Sequence, residues 1–368
     1  MKAAIYYGPG DMRVEEIERP KAGMEGVVLK VEVCGVCTIL DADAWKRRTN
    51  PIRGIARGHE WSGEVVEVGS EVTEVKVGDR IFTEPVYRPC YTCGSCQVKD
   101  YWRCVNWMEG EAGRAIHGAF AEYLCIPFVT NKSFIKLPEI LSFRDLALIE
   151  PLSLSVGLAR KARAGDVVVV LGQELVGLGT VAELRKLGIA KVITGDISQK
   201  HLEASREVGA DIAINTLNED IVQVVMKETS GGGADVVIQT DDRPIALLQA
   251  ISMVRRLGQV WLGLAYSAPL LFNPSALPSI HSGTRWVGPD AGYSELPLNF
   301  DPAMLSLQTA WGTLGNKMPR WLEAVELIKS GKITADKHIT HVFPLNKIKE
   351  AFETALNPHE SIRVVVEP

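Results

Sequence analysis

Through roughly the first 150 residues, apolar positions come in short Val/Ile runs that alternate with polar ones and break at glycine. Gly26-Val27-Val28-Leu29-Lys30-Val31 and Gly63-Glu64-Val65-Val66-Glu67-Val68-Gly69 are examples. Such alternation, punctuated by turn formers, predicts an irregular, mostly antiparallel β domain. After Glu150 the rhythm changes. Val167 to Leu171 is a continuous apolar run, followed by a glycine-bearing turn and a helical stretch through Lys186. A strand at Lys191 to Thr194, a helix at Gln199 to Val208 and a strand at Ile212 to Ile214 come next. Buried strands at Asp235 to Gln239 and Gln259 to Leu262 flank a helix-like Pro244 to Arg256. Strands alternating with helices imply a doubly wound parallel sheet. Near the carboxy end the pattern gives helices at Trp321 to Ser330 and Asn346 to Ala355, and strands at His341 to Phe343 and Arg363 to Val366.

With 368 residues, the chain is long enough for two cores. Its net charge of -5 is spread along the chain, with no basic stripe for nucleic acid and no apolar run long enough for a bilayer. The start, Met1-Lys2-Ala3-Ala4-Ile5, reads as a strand and lacks the architecture of a signal peptide, so the expected location is cytoplasmic.

The 7 cysteines do not suggest a disulfide framework in such a chain; clustered thiols in a reducing compartment are more often metal ligands. Cys90-x2-Cys93-x2-Cys96-x7-Cys104 puts four thiols on one tight loop. Tetrahedral zinc takes four such ligands, and four sulfurs leave no open position, so this is expected to be a structural zinc site. An iron–sulfur run of this spacing usually continues x3-Cys-Pro, which is missing here.

Gly172-Gln173-Glu174-Leu175-Val176-Gly177 follows the buried strand and opens a helix, the setting of a dinucleotide fingerprint. Gly172, Glu174, Val176 and Gly177 are therefore candidate cofactor contacts. Glu174 stands where the motif has a glycine, and a carboxylate there opposes the pyrophosphate. Asp196, at the end of the next strand, would accept from the ribose hydroxyls and repel a 2′-phosphate, which favours NAD over NADP. The loop Gln239-Thr240-Asp241-Asp242 is acidic, and its aspartates could face a polar substrate or Arg53 and Arg57.

Several motifs share one order along the chain: Gly58-His59-Glu60-x-Ser62-Gly63, Val75-Lys76-Val77-Gly78-Asp79-Arg80, the four-cysteine loop, Gly118-x-Phe120-Ala121-Glu122-Tyr123, Glu150-Pro151-Leu152 and Ile339-Thr340-His341-x-Phe343-Pro344-Leu345. In that order the chain resembles the zinc-containing medium-chain dehydrogenases, especially the sorbitol and threonine dehydrogenase branch. The resemblance implies an α/β chain with a GroES-like irregular β catalytic domain at 1–155, carrying a zinc lobe at 88–106. A Rossmann domain at 156–295 follows, and 296–368 returns to the catalytic domain. It implies two zincs per chain and a homodimer or homotetramer. Cys37, His59 and either Glu60 or Glu150 would bind a catalytic zinc with one exchangeable position, and Arg363 would lie near the cofactor phosphates.

Just after Cys37 the chain departs from the family, which reads Cys-Gly-Ser/Thr-Asp and hands the alcohol proton from the hydroxyl to a histidine. Here the segment is Cys37-Thr38-Ile39-Leu40-Asp41-Ala42-Asp43. Without a gap the hydroxyl position falls on Ile39 and the aspartate on Leu40; with one inserted residue Asp41 matches the aspartate and Asp43 takes the place of the histidine; either way Thr38 is the nearby hydroxyl. The expected activity is reversible oxidation of a secondary alcohol (a polyol, sugar or cyclitol), with Trp45, Trp61, Phe120 and His117 as candidate lining residues. A double-bond reductase on the same scaffold, or a nucleotide-binding relative without catalysis, are the competing readings; the full ligand set speaks against both.

Overall fold

The computed structural model describes residues 1–46, 52–83, 90–98, 104–106, 112–129, 134–241, 243–262, 283–284, 298–299, 305–309 and 318–368. The chain divides into two compact units, Met1–Ser153 with Gly315–Pro368, and Leu154–Leu314. The expected division near 295 lies outside the described residues.

In the first unit the strand Val27–Gly35 is the hub. It pairs antiparallel with Glu60–Val68, Tyr123–Ile126 and Arg363–Glu367, and the last of these runs parallel to Ile339–Pro344. The register matches Cys34 with Trp61, Gly35 with Glu60, and Val365 with Gly35. Residues 35–37, 59–60 and 363 are thereby drawn to one end of the sheet. Period-two alternation fixes this register, because a slip by one residue would turn every apolar side chain outward.

The core beneath the sheet takes Trp61 and Phe120 as fully buried packing residues, so neither lines a substrate site as expected. Their bulk is needed inside: Trp61 stacks on Phe82 at 5.8 Å, and Phe120 meets Phe352 edge-on at 5.7 Å. Phe82 also meets Trp321 at 5.2 Å. Pairs of this kind add roughly 0.5–1.5 kcal/mol beyond area burial, and this one ties the helix Met318–Lys329 back to the first unit. Trp45 packs on Phe352 at 4.9 Å.

The second unit contains a six-stranded parallel sheet ordered Ile212–Asn215, Lys191–Asp196, Val167–Leu171, Ala234–Gln239, Val254–Leu262 and Leu305–Thr309. That is the doubly wound order of a Rossmann fold, with the central strand buried on both faces. The helix expected through Arg256 ends at Met253. Arg255 leaves the helical course to pair with Asp235 at 2.6 Å, and Leu257 adopts a positive φ of 58° within the strand Val254–Leu262. A further helix, Ile221–Glu228, escaped the periodicity because it is short and follows a polar stretch. Its signal was Asp220, whose carboxylate caps the N–H groups of Val222 and Gln223.

Candidate active site and metal centres

Among the described residues two groups of metal-ligating side chains converge. In the first, one sulfur each from Cys90, Cys93, Cys96 and Cys104 lies within 4.8 Å of the others. The backbone wraps the sulfurs: the N–H groups of Cys90 and Asn106 donate to Cys104 Sγ at 3.1 and 3.3 Å, and that of Cys93 donates to Cys90 Sγ at 3.3 Å. The Thr92 hydroxyl, aided by N–H groups, holds the Cys90 thiol down to about 5. Burial pushes Cys96 up to about 12. Four thiols this close, with N–H groups aimed at them, have the donor set of a closed tetrahedral zinc site.

The second group is built by the strand register. Cys37 Sγ, a ring nitrogen of His59 and a carboxylate oxygen of Glu60 lie within 4.8 Å of one another, all buried. Burial, then the charge of Asp41, pushes the Cys37 thiol up to about 12. Burial likewise brings His59 down to about 4, so its imidazole is neutral with a lone pair to offer. A buried thiol that resists ionisation and a neutral imidazole are the donors a cation would stabilise, and sulfur, nitrogen and oxygen together suit zinc.

Counter-charges surround this cluster. Asp41 is wholly buried; its Oδ1 accepts from Arg57 Nε at 3.1 Å, and its Oδ2 lies 3.9 Å from His59 Nδ1. Arg363 has its guanidinium buried against the Glu60 carboxylate, because the register of its strand carries residue 363 to that point. Gly35 permits the pairing: a Cβ there would run into both the guanidinium and the carboxylate.

Glu150 is buried at the start of the helix Ile149–Ala159 but stands outside the group that Cys37, His59 and Glu60 form. Its charge still bears on Cys37. Thr38 follows Cys37 and is half-buried. Asp43 belongs to the helix Leu40–Trp45, and its side chain lies outside the described residues. His117 is exposed, and its Nδ1 accepts from the Ala56 N–H at 3.1 Å. Arg57 pairs with Asp41, and Asp241 pairs with Arg243, its neighbour two residues on. Asp242 is outside the described residues. Sequence reasoning undervalued Arg57 and Asp41; the available signal was a charged residue directly before Gly58-His59 in an otherwise apolar strand approach.

In the second unit, Gly172 turns the chain at φ 88°, and a Cβ there would strike the backbone of Thr240 and Asp241. Gly177, in the first turn of the helix Leu175–Lys186, leaves no room for a Cβ beneath the Gly172 carbonyl. The Thr240 hydroxyl donates to Gly172 O at 2.9 Å and locks the turn to the neighbouring strand. Glu174 is the N-cap residue of that helix and makes no capping hydrogen bond with its side chain. Its charge favours the helix's positive end, which is the place an anionic ligand would otherwise complement. Val176 is half-buried in the same turn.

Asp196 closes the next strand. Its Oδ2 accepts from the Gln173 N–H at 2.6 Å and lies 3.3 Å from His201 Nδ1, and its Oδ1 accepts from the Ser198 N–H at 2.8 Å. Burial alone would raise its pKa; His201 and the two N–H groups outweigh that and hold it below the usual carboxylate value. The carboxylate is thus a fixed anion at a strand end beside a glycine turn. That suits a ribose of a nicotinamide dinucleotide.

Two family models match the chain. One described as an alcohol dehydrogenase GroES-like domain matches residues 23–139, and one described as a zinc-binding dehydrogenase matches residues 176–278. A sorbitol dehydrogenase of Halalkalibacterium halodurans is 30% identical, with 100% of this chain and 99% of the relative covered. A D-arabitol-phosphate dehydrogenase of Enterococcus avium is 28% identical, with 100% and 97% covered. Among solved structures, a 2R,3R-butanediol dehydrogenase from Bacillus subtilis superposes with a TM-score of 0.77 at 27% identity, covering 100% of this chain and 99% of that one.

Proposed function

The chain belongs to the zinc-type medium-chain alcohol dehydrogenase family, and from that premise we propose that Cys37, His59 and Glu60 hold its catalytic zinc, beside which a polyol, sugar or cyclitol is oxidised by NAD. Members of this family transfer a hydride between a secondary alcohol and a nicotinamide cofactor, and this chain does so too. The convergence of one thiol, one imidazole and one carboxylate, all buried, is the observation that carries the assignment.

Zinc at such a site supplies Lewis acidity that lowers the pKa of an alcohol hydroxyl towards neutrality. The nicotinamide supplies the hydride acceptor. The protein's part is positional and electrostatic. Cys37 contributes the anionic ligand and His59 the neutral one. Glu60, held by Arg363, contributes the carboxylate, and Glu150 is the alternative carboxylate for that position. Thr38 is the first hydroxyl able to accept the alcohol's proton, and Asp43 is the next carrier towards water. Asp196 receives the ribose hydroxyls; Gly172, Val176 and Gly177 let the backbone approach the pyrophosphate. Cys90, Cys93, Cys96 and Cys104 hold a second, structural zinc.

We place the protein in the cytoplasm as a homodimer or homotetramer acting on a small-molecule substrate. No helix of the described residues is long and apolar enough to cross a membrane. The test is a panel of polyols, sugars, hydroxy acids and simple alcohols, each with NAD and NADP, followed by the absorbance of the reduced nicotinamide. Turnover of a vicinal polyol with NAD is expected, and Asp196→Ala should erase at least about tenfold of the preference over NADP, since one lost charge-assisted contact is worth ~1.5–3 kcal/mol. A preference that survives Asp196→Ala would move the ribose contact elsewhere.

A further inference from the structure

Arg57 is an arginine with almost no contact with solvent: its side chain is 3% exposed, and that of its partner Asp41 is 0% exposed. Nε donates to Asp41 Oδ1 at 3.1 Å and Nη2 to the Leu40 carbonyl at 3.2 Å. Its Cζ lies 5.5 Å from the Tyr6 ring, and the Tyr6 hydroxyl donates to the Ala44 carbonyl at 3.0 Å. The guanidinium is thus clamped between the helix Leu40–Trp45 and a core tyrosine. The other oxygen of Asp41 points at His59 Nδ1, but 3.9 Å exceeds a hydrogen bond, and Oδ2 has no hydrogen-bond partner among the described residues.

That gap is unusual chemistry for a ligand histidine. Metal-ligating imidazoles ordinarily donate their second N–H to a carboxylate or carbonyl, which orients the ring and strengthens it as a base. Here the carboxylate is present, buried and aimed correctly, yet a guanidinium holds its other oxygen. We infer that Arg57 is a positioning residue: it draws Asp41 away from His59 and so weakens the grip of the Cys37–His59–Glu60 cluster on its metal. The cluster's own carboxylate, Glu60, is likewise bound to a guanidinium, that of Arg363. Both negative charges that would otherwise feed the ligands are matched by guanidinium groups, which leaves a bound cation more electron-poor. A more electron-poor cation is the stronger Lewis acid.

The inference rests on the assignment of Cys37, His59 and Glu60 as metal ligands, and the experiment separates the two. Full-length protein is stripped, reloaded with Zn2+ and titrated with a chromophoric chelator; the Cys37→Ser variant identifies which zinc belongs to the cluster. Arg57→Met removes the guanidinium while keeping a long apolar stem. It frees Asp41 to close on His59, so the cluster should hold zinc at least about tenfold tighter, within the range of outer-shell effects. A purely architectural role for Arg57 could only loosen the metal, so unchanged or weaker affinity overturns the inference. Asp41→Asn in the parent protein tests the same point without touching Arg57. With Asp41 held back, its loss should change affinity less than about threefold, and a loss of tenfold or more would show that Asp41 already engages His59. Retention of both zincs by Cys37→Ser would overturn the metal assignment itself, whatever Arg57→Met does.

Discussion

The two groups of metal-ligating side chains in this protein are built by opposite strategies. The lobe from Cys90 to Cys104 gathers four like donors from one short loop, partly exposed and supported by its own backbone N–H groups. The cluster at Cys37 gathers three unlike donors from two strand ends and buries them among two guanidinium–carboxylate pairs. A closed set of thiols needs little help, because each sulfur becomes a ligand once the metal arrives. An open set must keep a thiol, an imidazole and a carboxylate in incompatible protonation states until then, and burial does most of that. Structural sites are therefore local in sequence, whereas working sites are distributed and electrostatically expensive.

The sharpest way to break this contrast is to remove one sulfur from each centre. Cys37→Ser should leave the fold intact and reduce alcohol oxidation by at least about a thousandfold, since Lewis-acid assistance is worth several kcal/mol; circular dichroism with a steady-state assay would show both. Cys104→Ser should do the reverse. One zinc is lost and Tm falls on the order of 10 °C, as expected for a few kcal/mol in a chain of this size, while turnover below the new Tm stays within about tenfold. If Cys104→Ser abolishes turnover in protein that remains folded, the lobe is more than structural.

A smaller effect concerns acid. His59 titrates near 4 in the metal-free fold, below the ordinary 6.5. Between those two values the unfolded chain takes up the proton and the folded one does not, so stability is lost as pH falls from about 6.5 to 4 and is level below that. Urea unfolding of metal-free protein should show this slope, worth a few kcal/mol at most, and His59→Gln should flatten it. An equal slope in the variant would assign the acid sensitivity to other groups.

How much of this was legible in the sequence follows from the same contrast. The four-cysteine lobe could be read directly because its ligands are neighbours in the chain. The parallel sheet was legible too, since Val167–Leu171 and Ala234–Gln239 are apolar throughout, as strands covered on both faces must be. The open cluster was visible only as separate candidates. What joins Cys37 to His59 is the pairing of Gly35 with Glu60, and no local pattern encodes which strands meet. Arg57 and Asp41 were hidden for the same reason: a buried ion pair looks like two surface charges until the register is known. Trp61 and Phe120 misled in the other direction. Large aromatics near a ligand motif suggest a substrate wall, but here the hub strand needed their volume beneath it.

The register that joins the first unit also sets what the chain can tolerate as it changes. Strands Val27–Gly35, Glu60–Val68 and Arg363–Glu367 act as a coordinate frame, in which each residue's address is counted from its partner across the sheet. A deletion of one residue inside Val27–Gly35 would reverse the facing of every position beyond it, sending Cys34 outward and dismantling the cluster in one step. The link from Cys37 to the start of the helix at Leu40 is outside that frame, so a change of length there costs no strand position. Laboratory or natural diversification is thus channelled into the loops: new residues can be spliced in after Cys37, while the strands accept substitution but not a change of length.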